Sequence, residues 1–449
     1  MTKLRLAIVG AGPAGIYAAD ILLKAEKKFD VSIDLFEQLP APYGLVRYGV
    51  APDHPRIKGI INALREVLDS GQIRLFGNVL FGRDITLDDL KKHYNAVIFS
   101  TGSIRDAELK VPGIELAGSY GAADFVSWYD GHPDFPREWP LDASSVAVIG
   151  NGNVALDVAR MLAKHADDLL PTEIPANVYE GLKNSPVTDV HVFGRRGPAQ
   201  VKFSPLELRE LGELRDVDMI VYDEDFDYDE ASKAAIASNK QVFVIDKVLG
   251  QWRARETGSA SRRLHLHFYA NPLEITGTDS VESIRYERTR PDGAGGVEGT
   301  GEIREIPIQA LYRAVGYFGS PLDGIPFDEK RGVIPNREGQ VLDDDDQQVH
   351  GVYATGWIKR GPVGLIGHTK SDAMETVKHV INDQANWWAP AEPSEEAVTE
   401  LLASRGVEFT NLDGWHNLDA YEQALGAPTG RVRIKVVERD EMVRASNNS

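Results

Sequence analysis

The sequence predicts an α/β protein built from two dinucleotide-binding Rossmann-like domains with central parallel sheets. Three observations carry this. A glycine-rich turn, Gly10-Ala-Gly12-Pro-Ala-Gly15, follows an apolar β run at the N-terminus. A second, Gly150-Asn-Gly152-Asn-Val-Ala155, follows another apolar run further on. The strand after the first turn ends in an acid, Glu37, and the strand after the second ends in Arg195-Arg196.

Residues 4–9 are an apolar strand ending at Gly10. Residues 13–28 read as a helix, with Pro13 in its first turn and lysines in its last. Residues 31–36 are the second strand, which completes a βαβ unit. Residues 73–81 and 96–99 are further strands. The second unit runs from a strand at 146–149 through a helix at 154–164 to a strand at 189–193. Residues 349–354 form a strand leading into Thr355-Gly356-Trp357. The glycine-rich stretch 290–302 reads as a loop or long hairpin tip, and the Asp run 343–346 as a solvated loop rather than a metal site. From Glu395 the pattern is helical, then β-like over 431–437.

The two glycine turns suit phosphates. Gly10 allows the tight turn, Gly12 lets the backbone approach a pyrophosphate, and Gly15 lets the helix pack close to the sheet. The phosphates sit on the positive helix N-terminus. Glu37 lies 22 residues after Gly15, where a carboxylate accepts from a ribose diol and repels a 2′-phosphate. That predicts FAD on the first unit. In the second unit, Arg195 and Arg196 replace the acid, and guanidinium forks match a 2′-phosphate. That predicts NADP(H). Gly152 and Arg195 are 43 residues apart against a usual ~20, so an insertion near 165–187 must loop out.

Composition prunes the chemistry. The chain has 449 residues, with 42% hydrophobic and 26% charged, an ordinary globular balance. Lys and Arg total 49 against 68 Asp and Glu, a net charge of −19, which argues against nucleic-acid binding and a polybasic membrane anchor. No uncharged apolar run reaches the ~18 residues of a membrane span. The apolar stretch 6–19 after Lys3 and Arg5 superficially resembles a signal peptide, but its glycine core reads better as a turn into a helix. There is no cysteine, which removes disulfides, thiol nucleophiles, Cys-ligated zinc and an iron–sulfur cluster on this chain. The cytoplasm is the natural compartment.

FAD and NADPH on one chain imply hydride transfer between nicotinamide and flavin. A redox dithiol is absent, so disulfide-reductase chemistry is excluded. No Phe-x-Gly-x-x-x-His segment follows either glycine turn. An external one-electron acceptor is the favoured sink. The alternatives are an NADPH-dependent flavoprotein oxygenase or oxidase, and a nucleotide-binding regulatory protein on a reductase scaffold.

Several blocks carry a more specific resemblance. They are Pro42-Tyr-Gly-Leu-Val-Arg-Tyr-Gly-Val-Ala-Pro-Asp-His-Pro55, Phe76-Gly-Asn-Val79, the segment 148–160, Gly194-Arg-Arg-Gly-Pro198, Glu207-Leu-Arg-Glu210 and Gly356-Trp-Ile-Lys-Arg-Gly-Pro362. In this order they resemble the adrenodoxin-reductase type of ferredoxin–NADP(+) reductase, within it the bacterial FprA group. The resemblance implies a glutathione-reductase-like two-domain architecture. The FAD domain is expected in two parts, 1–104 and 316–449, with an NADP domain at 105–315. It implies FAD contacts at Ala14, Glu37, Leu45, Val79, Trp357, Gly364, Leu365 and Ile366. It implies NADP contacts at Asn151, Gly152, Asn153, Val154, Arg195, Arg196 and Glu207. His54 and Glu210 look like the family's active-site pair. The implied reaction is hydride transfer from NADPH to FAD, then single-electron transfer to an acidic ferredoxin. Docking such a partner needs a basic patch, for which Lys202 with Arg209, and Arg253, Arg255, Arg262 and Arg263, are the candidates.

Overall fold

The computed structural model describes residues 3–294, 296–363 and 366–447, without the side chains of 366 and 367. The chain divides into two compact units. The first comprises Met1–Arg105, Asp130–Asp134 and Tyr317–Ser449, the second Asp106–Tyr129 and Phe135–Gly316. The short return of 130–134 to the first unit has no signature in the sequence.

The first unit is built on a seven-stranded sheet. Its five parallel strands run in the order Gln348–Ala354, Ala96–Phe99, Lys3–Val9, Asp30–Phe36 and Ile73–Phe76. A short antiparallel pair, Asn336–Arg337 and Gln340–Leu342, extends one edge. Both faces are buried. Leu4, Leu6 and Ile8 point to one core, shared with Ile16, Ala19 and Leu22 of helix Pro13–Lys24 and with Val377 of helix Ile366–Asn382. Ala7 and Val9 point to the other, with Phe36, Val97 and Phe99. Burial on two faces is why these strands read as unbroken apolar runs rather than alternating ones.

The second unit holds a six-stranded sheet, parallel throughout. Its order is Ser119–Gly121, Ala310–Arg313, Ser145–Ile149, Asp189–Phe193, Arg262–His267, Val217–Val221. A separate antiparallel sheet of Ala270–Thr276, Ser283–Pro291 and Val297–Pro307 packs its Ile275, Ile284 and Tyr286 into a core with Ala147 and Phe193.

Several expectations are corrected. The strand expected at 73–81 stops at Phe76, because Asn78 adopts a left-handed backbone (φ 61°) and turns the chain. The first helix ends at Lys24, four residues early. The glycine-rich 290–302 stretch, by contrast, is the expected hairpin tip, made by the paired ends of Ser283–Pro291 and Val297–Pro307. The insertion before Asp189 carries a 3-10 turn, Ala166–Leu169, and a helix, Ala176–Lys183. Among the described residues, 431–437 joins no sheet; the segment is extended and tied to helix Leu412–Gly426.

Candidate functional site

Each glycine turn lies at the point where the strand order of its sheet reverses. In open parallel sheets that crevice is the ligand position. In the first unit Lys3–Val9 and Ala96–Phe99 are neighbours. Gly10 at the end of one (φ 109°) presses on Ser100 at the end of the other, where an added Cβ would sit 2.5 Å from the Ser100 carbonyl oxygen. In the second unit Ser145–Ile149 neighbours Ala310–Arg313, and a Cβ at Gly150 would collide with the Ala314 carbonyl oxygen. The two turns thus use the same construction twice.

Around the first turn, Glu37 is buried, and its two oxygens accept from the Ala11 N–H at 2.8 Å and the Leu39 N–H at 3.1 Å. Burial pushes its pKa up to about 7, against the pull of those N–H donors and of Arg439. The Val79 N–H donates to the Glu37 carbonyl oxygen at 2.9 Å. The Tyr43 N–H donates to the Ala11 carbonyl oxygen at 2.8 Å, bringing the turn that carries half-buried Leu45 against the glycine loop. Gly12 and Gly44 face each other, and a Cβ on either would fill the space between them. This cradle, with a carboxylate at one end and a helix N-terminus beside it, fits the pyrophosphate and ribose of a dinucleotide. Buried Ala14 is reached from the C-terminal part: Gly356 (φ 76°) sits so close that its Cβ would lie 2.6 Å from the Ala14 Cβ. Gly15 lies in the same helix. Trp357 is half-buried at the start of the short helix Trp357–Arg360.

One organiser of this turn was missed. Asp372, on helix Ile366–Asn382, accepts from the Gly356 N–H at 2.5 Å and the Thr355 hydroxyl at 3.2 Å. It also pairs with Lys359 at 3.0 Å and Arg360 at 3.1 Å. A lone Asp in an amphipathic helix gives no sequence signal of this. The expected contacts Gly364 and Leu365, and the side chain of Ile366, lie outside the described residues.

Around the second turn, no atom of the described residues beyond the turn itself lies within 4 Å of a Cβ placed on Gly152, so the approach to the helix N-terminus of Asn153–Ala163 is open. Asn151 and Asn153 tie the turn to the next segment. The Lys202 N–H donates to the Asn151 carbonyl oxygen at 2.9 Å, and the Ser204 N–H to the Asn153 side chain at 2.8 Å. Ser204 caps helix Pro205–Leu211, where its hydroxyl accepts from the N–H of buried Glu207. Val154 opens the glycine-turn helix beside Asn153. Arg195 and Arg196 are exposed, and their backbone is pinned. The Arg195 carbonyl oxygen accepts from the Thr289 hydroxyl at 2.8 Å, and that of Arg196 from the Tyr269 N–H at 3.2 Å. Among the described residues neither guanidinium has an acidic partner.

His54 and Glu210 lie on different units. His54 is buried and precedes the short helix Pro55–Lys58. Glu210 is half-buried on helix Pro205–Leu211, 3.9 Å from Arg160.

A histidine cluster in the second unit was not foreseen. His191 and His267 share a hydrogen bond of 3.0 Å. His265 is engaged at both nitrogens, by Asp189 at 3.1 Å and Tyr222 at 2.9 Å. Burial holds His191 at a pKa of about 3 and drives His267 further down than its ordinary value. One ring nitrogen from each of the three histidines lies within 4.8 Å of the others, with both His265 nitrogens hydrogen-bonded to other side chains.

The fold and the paired turns define a two-site dinucleotide-binding oxidoreductase. Residues 4–192 match the family model described as pyridine nucleotide-disulphide oxidoreductase. The chain is 41% identical to the NADPH-ferredoxin reductase FprA of Mycobacterium tuberculosis, over 99% of both chains. It is 37% identical to the mitochondrial NADPH:adrenodoxin oxidoreductase of Homo sapiens, over 98% of this chain and 91% of that one. The solved structure of M. tuberculosis FprA in complex with NADPH superposes with a TM-score of 0.90 at 39% identity, covering 99% of each chain. The chain belongs to the family of NADPH–ferredoxin and NADPH:adrenodoxin reductases, and it is an oxidoreductase. Without cysteine it has no dithiol for the disulphide chemistry that the broader family name carries.

Proposed function

We propose that this chain is an FAD-containing NADPH–ferredoxin oxidoreductase, with FAD on the first unit and NADP(H) on the second. The contrast between the two strand ends carries the reading. Glu37 is a buried carboxylate placed for a ribose diol and hostile to a 2′-phosphate. Arg195 and Arg196 are exposed forks without acidic partners among the described residues, in a chain of net charge −19. The relatives' names support the reading.

When bound, the flavin supplies the interchange between two-electron hydride chemistry and single-electron transfer. This chain's residues position and tune. Gly12 and Gly44 leave the space that a pyrophosphate fills, and the N–H groups that open helix Pro13–Lys24 face it. Leu45, Val79 and Trp357, with Gly364, Leu365 and Ile366, are the proposed walls of the flavin site. Asn151, Gly152, Asn153 and Val154 present the second helix N-terminus to the other pyrophosphate, and Glu207 completes that site. His54 and Glu210 are the proposed active-site pair. An imidazole stabilises negative charge on a reduced ring system, and a carboxylate sets the imidazole's proton.

The acceptor is an acidic iron–sulfur protein of the ferredoxin type. Of the basic clusters, Arg253 is spent on Asp223 at 2.9 Å, Arg263 on Asp189 at 2.6 Å, and Arg262 on the carbonyl oxygens of Ala163 and Lys164. Lys202 and Arg209 are exposed and have no acidic partner among the described residues. They are the proposed docking cations. The cytoplasm is the proposed compartment, on the cysteine-free composition. No described helix is long and apolar enough to cross a membrane.

The test is an aerobic assay of the purified protein with NADPH, with and without ferredoxin. The reading expects ferredoxin reduction to exceed oxygen uptake. Stoichiometric oxygen consumption that ignores ferredoxin overturns it in favour of an oxidase.

A further inference from the structure

The C-terminal segment from Thr410 to Asn447 has no sequence motif for chemistry, yet it reaches the loops that carry three of the proposed FAD contacts. We infer that it is a clasp that holds the flavin loops in shape, with Arg439 and Glu422 as its positioning residues. The inference rests on the FAD reading of the first unit.

Three attachments carry it, all within that unit. The first is at the loop of Val79. Gly77 and Thr410 exchange N–H and carbonyl bonds of 2.8 Å each, and one Arg439 nitrogen donates to the Asn78 side chain at 2.8 Å. The second is at Glu37. The same Arg439 nitrogen donates to the carbonyl oxygen of the next residue, Gln38, at 2.8 Å. The third is at the turn of Leu45. Glu422 grips buried Arg47 through two contacts of 2.5 and 3.1 Å, and buried Lys435 donates to the Arg47 carbonyl oxygen at 2.6 Å.

Two of these attachments fall beside non-glycine residues in the left-handed region, Tyr43 (φ 83°) and Asn78 (φ 61°). Asn adopts that region readily, but a bulky Tyr there is costly and persists only where its surroundings over-determine it. Trp415 packs edge-on against the Tyr43 ring at 5.6 Å, and Arg439 holds the Asn78 side chain. The other Arg439 nitrogen is anchored by both oxygens of Asp134, at 2.7 and 2.8 Å. Both loops are therefore held from the C-terminal side, and the cradle facing Gly12 keeps its shape because of it.

The test uses the full-length holoenzyme and two variants, Arg439→Gln and Glu422→Gln. In each, the FAD dissociation constant, the visible circular dichroism of the bound flavin and the KM for NADPH are measured. FAD affinity is expected to fall roughly tenfold to a hundredfold, the value of lost charge-assisted hydrogen bonds. The flavin dichroism should change, the KM for NADPH should hold, and Arg439→Lys should restore part of the affinity. Folded variants with unaltered FAD affinity and dichroism overturn the clasp. Wild-type amide exchange answers even if a variant does not fold. By reciprocity, FAD must slow exchange in Leu412–Gly426 if that helix holds the FAD loops. Equal exchange with and without FAD overturns the clasp, whereas a wild type that binds no FAD overturns the cofactor reading instead.

Discussion

The Glu37 carboxylate and the Ala11 N–H meet at 2.8 Å, so the acid that ends one strand is fastened to the middle of the glycine turn that ends its neighbour. In the proposed FAD site this bond sets the ribose position relative to the pyrophosphate. On that proposal it also sets up a proton that the cofactor displaces.

Burial holds the Glu37 pKa near 7, above its ordinary value of 4.5. Between those pH values the folded apoprotein holds a proton that the unfolded chain has lost. The Glu37 contribution to apoprotein stability is therefore greatest below the unfolded pKa and is lost as pH rises towards 7. Ribose hydroxyls donating to the carboxylate favour its charged form, so FAD binding should release protons near pH 6.5. Calorimetric titration in buffers of differing ionisation enthalpy should show that release in the wild type and not in Glu37→Gln. An identical proton count in the two removes Glu37 from the ribose site.

Gly356 combines a positive φ with a close approach to Ala14. Gly356→Ala strains the turn and pushes on the glycine-turn helix, at a cost of about 2 kcal/mol. Flavin release followed by fluorescence on heating should shift down by roughly 4–8 °C. An unshifted release curve means that this contact is slack.

Lys202→Glu and Arg209→Glu should raise the KM for ferredoxin by roughly tenfold at low salt, leaving NADPH-dependent flavin reduction alone. The effect should shrink as salt screens the charges, the Debye length being about 8 Å at physiological ionic strength. A salt-independent KM in the wild type would place docking elsewhere.

Both βαβ units were legible because doubly buried parallel strands leave unbroken apolar runs and the turns between them need glycine. The strand Asp189–Phe193 was found across an insertion for the same reason. What escaped depends on long-range pairing. In the antiparallel sheet around Ser283–Pro291 the outer strand Val297–Pro307 is mostly exposed and punctuated by charge, so its alternation is blurred. The extended segment 431–437 looks like a strand but spends the N–H groups of Ile434 and Val436 on Glu422 rather than on a neighbour strand. Asp372 and Arg439 organise loops far from them in sequence, and a single charged residue carries no periodicity to announce that.

Glu37 and the Arg195-Arg196 pair distinguish the proposed flavin site from the proposed NADPH site on one chain. The decisive measurement is stopped-flow reduction of the bound flavin by NADPH and by NADH, in wild type and in the Arg195→Ala/Arg196→Ala double variant. The wild type should show a strong NADPH preference that falls by roughly a hundredfold or more in the variant. Equal reduction of the wild type by NADH contradicts the 2′-phosphate assignment, and a protein that binds no flavin when supplied with FAD contradicts the two-cofactor reading itself.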